Sequence, residues 1–311
     1  ELLGVSLLKR RAETAPPPTR SPASTAPLHC ATESDLSPPV RPTLRPTLAL
    51  ALLFAAPLAR AHEVAADMVQ AATNFLSALD AGQKKQATYP LADAERENWN
   101  FVPIARQGLP LKRMTAEQHT LGLALLRTGL SHTGVARANA IMQLELVLKQ
   151  LEKDPKGRRD PTLYFITFFG EPSPAQSSGW RFEGHHLSFN FTVVDGKHVF
   201  FAPSFFGTNP AEVRSGPRKG ERVLAEEEDL GLALINSLDA GQRKIAIFAP
   251  VALKDIVTMN KKRVDPLSPE GIPASRLTAP QREKLIALIN VYLARYHPEL
   301  AKETFEKVSA A

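Results

Sequence analysis

Trp180–Val194 reads WRFEGHHLSFNFTVV, and its alternation decides the fold class. Leu187, Phe189, Phe191 and Val193 fall on one side of an extended chain, with His186, Ser188, Asn190 and Thr192 on the other. Asp195-Gly196 follows, the strongest hairpin signal in the sequence, and Val199–Phe201 is the return strand. Upstream, Leu163–Phe169 (LYFITFF) is β-branched and aromatic and reads as a further strand. These segments predict a small antiparallel meander, with Leu187, Phe189 and Phe191 buried.

Helical patterns flank the meander. Ala65, Met68, Val69, Ala72, Phe75, Leu76 and Leu79 share one face, as do Val135, Ala138, Ile141, Leu144, Leu148 and Leu151; Lys153–Arg159 then reads as a polar loop. Leu230, Leu234, Ile235 and Leu238 make a similar stripe later in the chain. Phe75–Ala87 (FLSALDAGQKKQA) and Leu234–Ala246 (LINSLDAGQRKIA) agree at seven of 13 positions with an offset of 159. Gly108–Gln118 (GLPLKRMTAEQ) and Gly271–Gln281 (GIPASRLTAPQ) agree at six of 11 with an offset of 163. Two matches in the same order at nearly the same spacing predict an internal duplication. Thr115 and Thr278 stand where helix N-caps belong. The fold expected is α+β: helices packed on a small antiparallel β-meander, internally duplicated with the second meander missing. A first repeat spans 62–222 and the helical part of a truncated second repeat spans 223–311. The last helices, carrying Leu285, Ile289, Tyr292, Phe305 and Val308, are then expected to have fewer partners than their first-copy counterparts.

The front of the chain reads as processing sequence. Val40–Ala61 (VRPTLRPTLALALLFAAPLARA) has a short cationic start at Arg41 and Arg45, an apolar run at Leu48–Leu58 and a small-x-small triplet at Ala59-Arg60-Ala61. The run is shorter than the twenty or so residues that span a bilayer. Residues 40–61 therefore read as a signal peptide, which predicts an exported protein, periplasmic or extracellular, without stable membrane insertion after cleavage. Residues 1–39 are rich in Pro, Ser, Thr and Arg, start without Met and read as a disordered or read-through extension. The single cysteine, Cys30, lies there, so a chain starting at His62 has no disulfide, thiolate metal site or cysteine nucleophile.

Composition narrows the function classes. The 311 residues carry a formal charge of +6. Residues 1–61 hold seven Lys/Arg against four Asp/Glu, which leaves a net of +3 over the remaining 250. A body that close to neutral predicts no nucleic-acid partner. The sequence has no Walker loop, HExxH, GxSxG or GxGxxG.

The polar residues of the central strand are the candidate site. Adjacent His185 and His186 point to opposite faces of a regular strand unless Gly184 introduces a bulge, and Glu183 shares a face with His185. One reading makes His185 and His186 ligands of a divalent transition metal, with Glu183 and Arg181 as catalytic side chains. The competing reading is a solvated face and a hydrogen-bonded core histidine. His62, terminal after cleavage at Ala61, either offers an amine and an imidazole that with another histidine nearby can chelate copper, or is one of the many residue types that follow a small-x-small site. Ser215–Arg222 (SGPRKGER) is either an anion-binding loop or a basic loop paired with the acidic helix start at Glu226–Asp229.

Gly179–Thr192 (GWRFEGHHLSFNFT), Pro203–Leu230 and Asn98–Pro103 (NWNFVP) together resemble an uncharacterised secreted family, domain of unknown function 3500. The resemblance covers Ala65 to the end of the chain. It implies an exported protein of bacteria or fungi, with no activity to carry over. It also implies a second strand unit with a histidine-x-histidine motif, which nothing in this sequence matches, and it adds weight to the Gly-His-His strand. The function expected is an exported metal-dependent enzyme built around that strand. The alternative is a periplasmic or extracellular small-molecule-binding module without catalysis, whose Trp180, Phe182 and Arg181 line a groove.

Overall fold

The computed structural model of the protein describes residues 61–264 and 270–310. The expectations for residues 1–60 and for the His62 side chain lie outside what it describes. Ala61–Ser77 forms α1, which buries Ala65, Met68, Val69, Ala72 and Phe75 as its periodicity requires. Leu79-Asp80-Ala81-Gly82-Gln83 ends that helix and starts α2 (Ala81–Ala87). Asp80 Oδ1 accepts from the Gln83 N–H at 2.8 Å while Gln83 Oε1 accepts from the Asp80 N–H at 3.1 Å, a reciprocal cap. Thr115 starts α3 (Ala116–Gly129) in the same way, paired with Gln118. Ser131 caps α4 (His132–Leu151), whose Ala138, Ile141, Leu144 and Leu148 are buried.

Later in the chain come α5 (Ala225–Ser237), α6 (Ala240–Ala246), α7 (Ala279–Leu293) and α8 (Pro298–Ala310). Leu238–Gln242 is built like Leu79–Gln83: Asp239 caps α6 and exchanges two hydrogen bonds with Gln242. The glutamines then join the helix pairs. Gln83 Nε2 donates to Gln118 Oε1 and to the Arg113 carbonyl, and Gln118 Nε2 donates to the Ala78 carbonyl. Gln242 Nε2 donates to Gln281 Oε1 and to the Arg276 carbonyl, and Gln281 Nε2 to the Ser237 carbonyl. In this way α1 lies on α3, and α5 on α7.

Among the described residues the sheet has seven strands: β1 (Thr88–Tyr89), β2 (Leu109–Pro110), β3 (Phe165–Phe169), β4 (Ser178–Gly184), β5 (Leu187–Val194), β6 (His198–Phe200) and β7 (Ser204–Phe206). Its order is β1-β3-β4-β5-β6, with β2 also on β3 and β7 also on β5. The α+β class stands, but the sheet is mixed rather than purely antiparallel, because β1 runs parallel to β3. Asp195 and Gly196, both at positive φ (52° and 66°), make the expected turn into β6. The single strand expected over Trp180–Val194 is two strands. His185-His186 is the turn between them, Gly184 pairs with Leu187, and His186 takes a left-handed φ of 62°. A histidine in that conformation is unusual and has to be held by its surroundings.

The expected apolar face is correct: Leu187, Phe189, Phe191 and Val193 are buried with Trp180 and Phe182 against α1, α3 and α4. Cross-strand neighbours Trp180 and Phe191 stack with ring centroids 4.6 Å apart. The opposite face is not solvated as the alternation suggested. Thr167, Arg181, Glu183 and Ser188 are as buried as the aromatics, because the segment after β1 folds over them. Of the last-helix residues singled out by sequence, Leu285, Ile289, Tyr292 and Phe305 are partly buried and Val308 is exposed. No helix among the described residues is long and apolar enough to cross a membrane.

Candidate functional site

The His185-His186 turn is clamped from several sides. Gly184 is obligatory because a Cβ there would come within 2.2 Å of the Tyr164 ring. That approach lets the Tyr164 hydroxyl donate to the His185 carbonyl at 2.7 Å. The His186 N–H donates to the Phe101 carbonyl and the His186 carbonyl accepts from the Gly207 N–H, both at 2.8 Å. Arg106 Nη2 donates to the Gly184 carbonyl at 3.1 Å.

His185 leaves the sheet and meets α4. Its Nδ1 lies 2.5 Å from Glu145 Oε1. Arg159 Nη1 lies 3.1 Å from Nδ1 and 3.4 Å from Nε2 of the same ring, and 3.9 Å from Glu145 Oε2. Glu152 holds the guanidinium from its outer side through two bonds of 2.8 and 2.9 Å. Glu145, Arg159 and His185 are all buried. The ring of His186 sits 4.1 Å from that of His185, and its Nδ1 is buried without a hydrogen-bond partner. Burial, with His185 and Arg159 adding to it, pushes the His186 imidazole down to about 3, so it is neutral across the ordinary pH range.

Arg181 and Glu183 belong to a different cluster. Arg181 Nε lies 3.1 Å from Glu183 Oε1, and its guanidinium also donates to the carboxylate and the carbonyl of Glu95. Glu183 Oε2 accepts from the Asn100 N–H at 2.9 Å, and Arg106 Nε stands 3.7 Å from Oε1. Burial pushes the Glu183 carboxyl up, against the pull of Arg181, the Asn100 N–H and Arg106. Among the described residues no hydrogen bond or ion pair joins Glu183 to either histidine. These two side chains brace the sheet, and Trp180, Phe182 and Arg181 are all buried.

The two histidines are therefore brought together, and Glu183 and Arg181 are placed apart from them. Glu145 and Arg159 were not singled out from the sequence. A signal for Glu145 existed: it lies beside Leu144 inside the stripe of Ile141, Leu144 and Leu148, where a charge is out of place. Arg159 ends a polar loop and carried no such mark. A metal ion fits this donor set poorly, because the Arg159 cation already lies against both ring nitrogens of His185. Among the described residues no group of three or more His, Cys, Asp or Glu is placed to hold one. The basic loop resolves as paired: Arg218 binds Glu221, and Arg222 binds Glu228 and Asp229.

No curated protein and no solved structure matches this chain. A family model described as "Protein of unknown function (DUF3500)" matches residues 61–311, the span that holds both ion clusters, and the chain belongs to that family.

Proposed function

We propose that the protein is an exported enzyme whose working group is His185, acting in proton transfer. The observation that supports it is the 2.5 Å approach of Glu145 to His185 Nδ1. A carboxylate on Nδ1 fixes the ring, and proton exchange at Nε2 requires Arg159 Nη1, 3.4 Å away, to turn toward a substrate. Arg159, beside Nε2, is placed to hold an anionic group of a substrate or a developing negative charge. This replaces Glu183 and Arg181 as acid–base candidates with Glu145 and His185. The signal-like segment at 40–61 supports export. The two equivalent glutamine networks and helix caps support descent of the two halves from a duplication.

The test is turnover of a panel of chromogenic esters, phosphoesters and glycosides by the secreted protein, compared with His185→Gln and Glu145→Gln. The expected outcome is activity toward one class that falls about a hundredfold or more in both variants, with circular dichroism unchanged. Wild-type activity in a folded His185→Gln protein would refute the assignment.

A further inference from the structure

Arg159 meets different partners on its two edges. Nη1 lies inside, against the His185 ring and Glu145. Nε and Nη2 donate in parallel to the two oxygens of Glu152, at 2.8 and 2.9 Å. A fork-to-fork pair of this kind is how a guanidinium binds a free carboxylate. The two members differ in their freedom: the Arg159 side chain is 8 % exposed and that of Glu152 37 %. Glu152 is the residue after α4, and its N–H closes the last turn on the Leu148 carbonyl at 2.8 Å. A carboxylate there faces the negative end of the helix dipole, so the position itself does not favour the charge and Arg159 alone draws it inward. The loop backbone is fixed by other means, since Asp154 accepts from the Arg159 N–H at 2.7 Å and from the Lys156 N–H at 3.2 Å. The Glu152 side chain can therefore swing into solvent while the loop stays in place.

We infer that the Glu152 carboxylate occupies the subsite of a substrate carboxylate, and that the His185 site takes small carboxylic acid anions that displace it from Arg159. The inference rests on the reading of His185 as the working group and adds the class of compound that the group meets. One planar monoanion replaces another on the same two N–H groups, so the charge beside Arg159 is unchanged. Phosphate fits less well. It carries more than one negative charge at neutral pH, and Glu145 Oε2 already stands 3.9 Å from Nη1 on the inner side. A carboxylate bound from outside is not tied to the end of α4 as Glu152 is. The guanidinium follows it outward, and Nη1 turns off His185 Nε2, from which it lies 3.4 Å away. Glu152 is thus a gate: with the subsite free it keeps Arg159 closed on the ring, and with substrate bound it stands in solvent.

The experiment titrates the whole isotope-labelled protein with sodium acetate and, separately, with inorganic phosphate, at constant ionic strength and neutral pH. The Arg159 Nε–H and His185 ring signals are followed by NMR. The expected result is a saturable acetate response in both signals, and acetate binding about tenfold or more tighter in Glu152→Ala, where no resident carboxylate competes. Glu152→Asp, whose shorter side chain holds Arg159 less well, falls between the two. Glu171→Ala removes an exposed carboxylate at the other end of the β3–β4 pair and leaves the affinity unchanged. Phosphate at the same concentrations moves neither signal. Equal acetate affinity in wild type and Glu152→Ala, phosphate binding as tight as acetate, or no acetate response in either signal overturns the inference. None of these readouts needs turnover. A protein whose activity depends on His185 but which gives one of those results keeps the proposed function and loses the carboxylate subsite. Acetate binding gated by Glu152, in a protein that His185→Gln leaves fully active, keeps the subsite and refutes the role of His185.

Discussion

Leu130 and Tyr296 face each other across an antiparallel bridge, where the α3–α4 turn meets the α7–α8 turn. The bonds around them are reciprocal: the Ser131 N–H donates to the Arg295 carbonyl at 3.0 Å and the His297 N–H to the Gly129 carbonyl at 2.9 Å. Each turn thus satisfies the other's helix-end groups, which burial would otherwise leave orphaned. The approach is close because Gly134 carries no side chain; a Cβ there would fall 1.9 Å from the Arg295 carbonyl oxygen.

Gly134→Ala is therefore expected to destabilise the protein, although alanine is the better helix former. Relieving the contact means moving one turn off the other, at a cost of about 1–3 kcal/mol. Urea denaturation measures it. A gain in stability would mean that the two turns do not meet as described.

The Glu183 cluster predicts a large effect on stability. Arg181, Arg106 and Glu183 are buried together, and removal of one carboxylate leaves guanidinium charge without its partner. Glu183→Ala is expected to cost about 3–5 kcal/mol. A Glu183→Ala protein of wild-type stability would restore this side chain as a candidate for chemistry.

The sheet's apolar half was legible because alternation reports which side chains share a face. The His185-His186 turn was not, because nothing in GHHL carries the Asn-Gly or Asp-Gly signature of a tight hairpin. Left-handed His186 is imposed from outside, by the Phe101 and Gly207 backbone and by the Tyr164 ring against Gly184. For the same reason the histidine partners were missed. Glu145 and Arg159 come from a helix and a loop 40 and 26 residues distant in sequence, and tertiary packing alone brings them in. The buried polar face misled in the opposite direction, since a period of two cannot tell water from a covering segment that is itself polar.

His186 predicts the acid limb of the stability profile. Its folded value near 3 lies below the 6.5 of the unfolded chain. Between these values the unfolded state binds up to one proton more, so stability rises with pH, by about 1.4 kcal/mol per pH unit at most from this group. His186→Asn, which tolerates the left-handed turn, is expected to flatten the profile between pH 4 and pH 6.5. Denaturation midpoints at several pH values check this, and parallel profiles for the two proteins would assign the acid sensitivity elsewhere.

Arg295 predicts a longer-range effect on the histidine turn. Its guanidinium lies between the rings of Phe206 and Tyr292, 4.8 and 4.5 Å from their centroids, and pairs with buried Glu227. Tyr296 donates to Ser204 Oγ at 2.7 Å. Both contacts press on β7, whose Phe206 pairs with Leu187 and whose following residue, Gly207, donates to the His186 carbonyl. Arg295→Met removes the charge and leaves Glu227 buried beside Arg137 alone, with an expected loss of about 3–5 kcal/mol. Tyr296→Phe removes only the Ser204 bond, at about 0.5–1.5 kcal/mol. If the chain of contacts holds, hydrogen exchange at the Gly207 amide accelerates in both variants by more than the fall in global stability explains, while exchange in β3 tracks global stability. Equal acceleration at both places would mean that Arg295 and Tyr296 support the fold as a whole and do not hold the turn in particular.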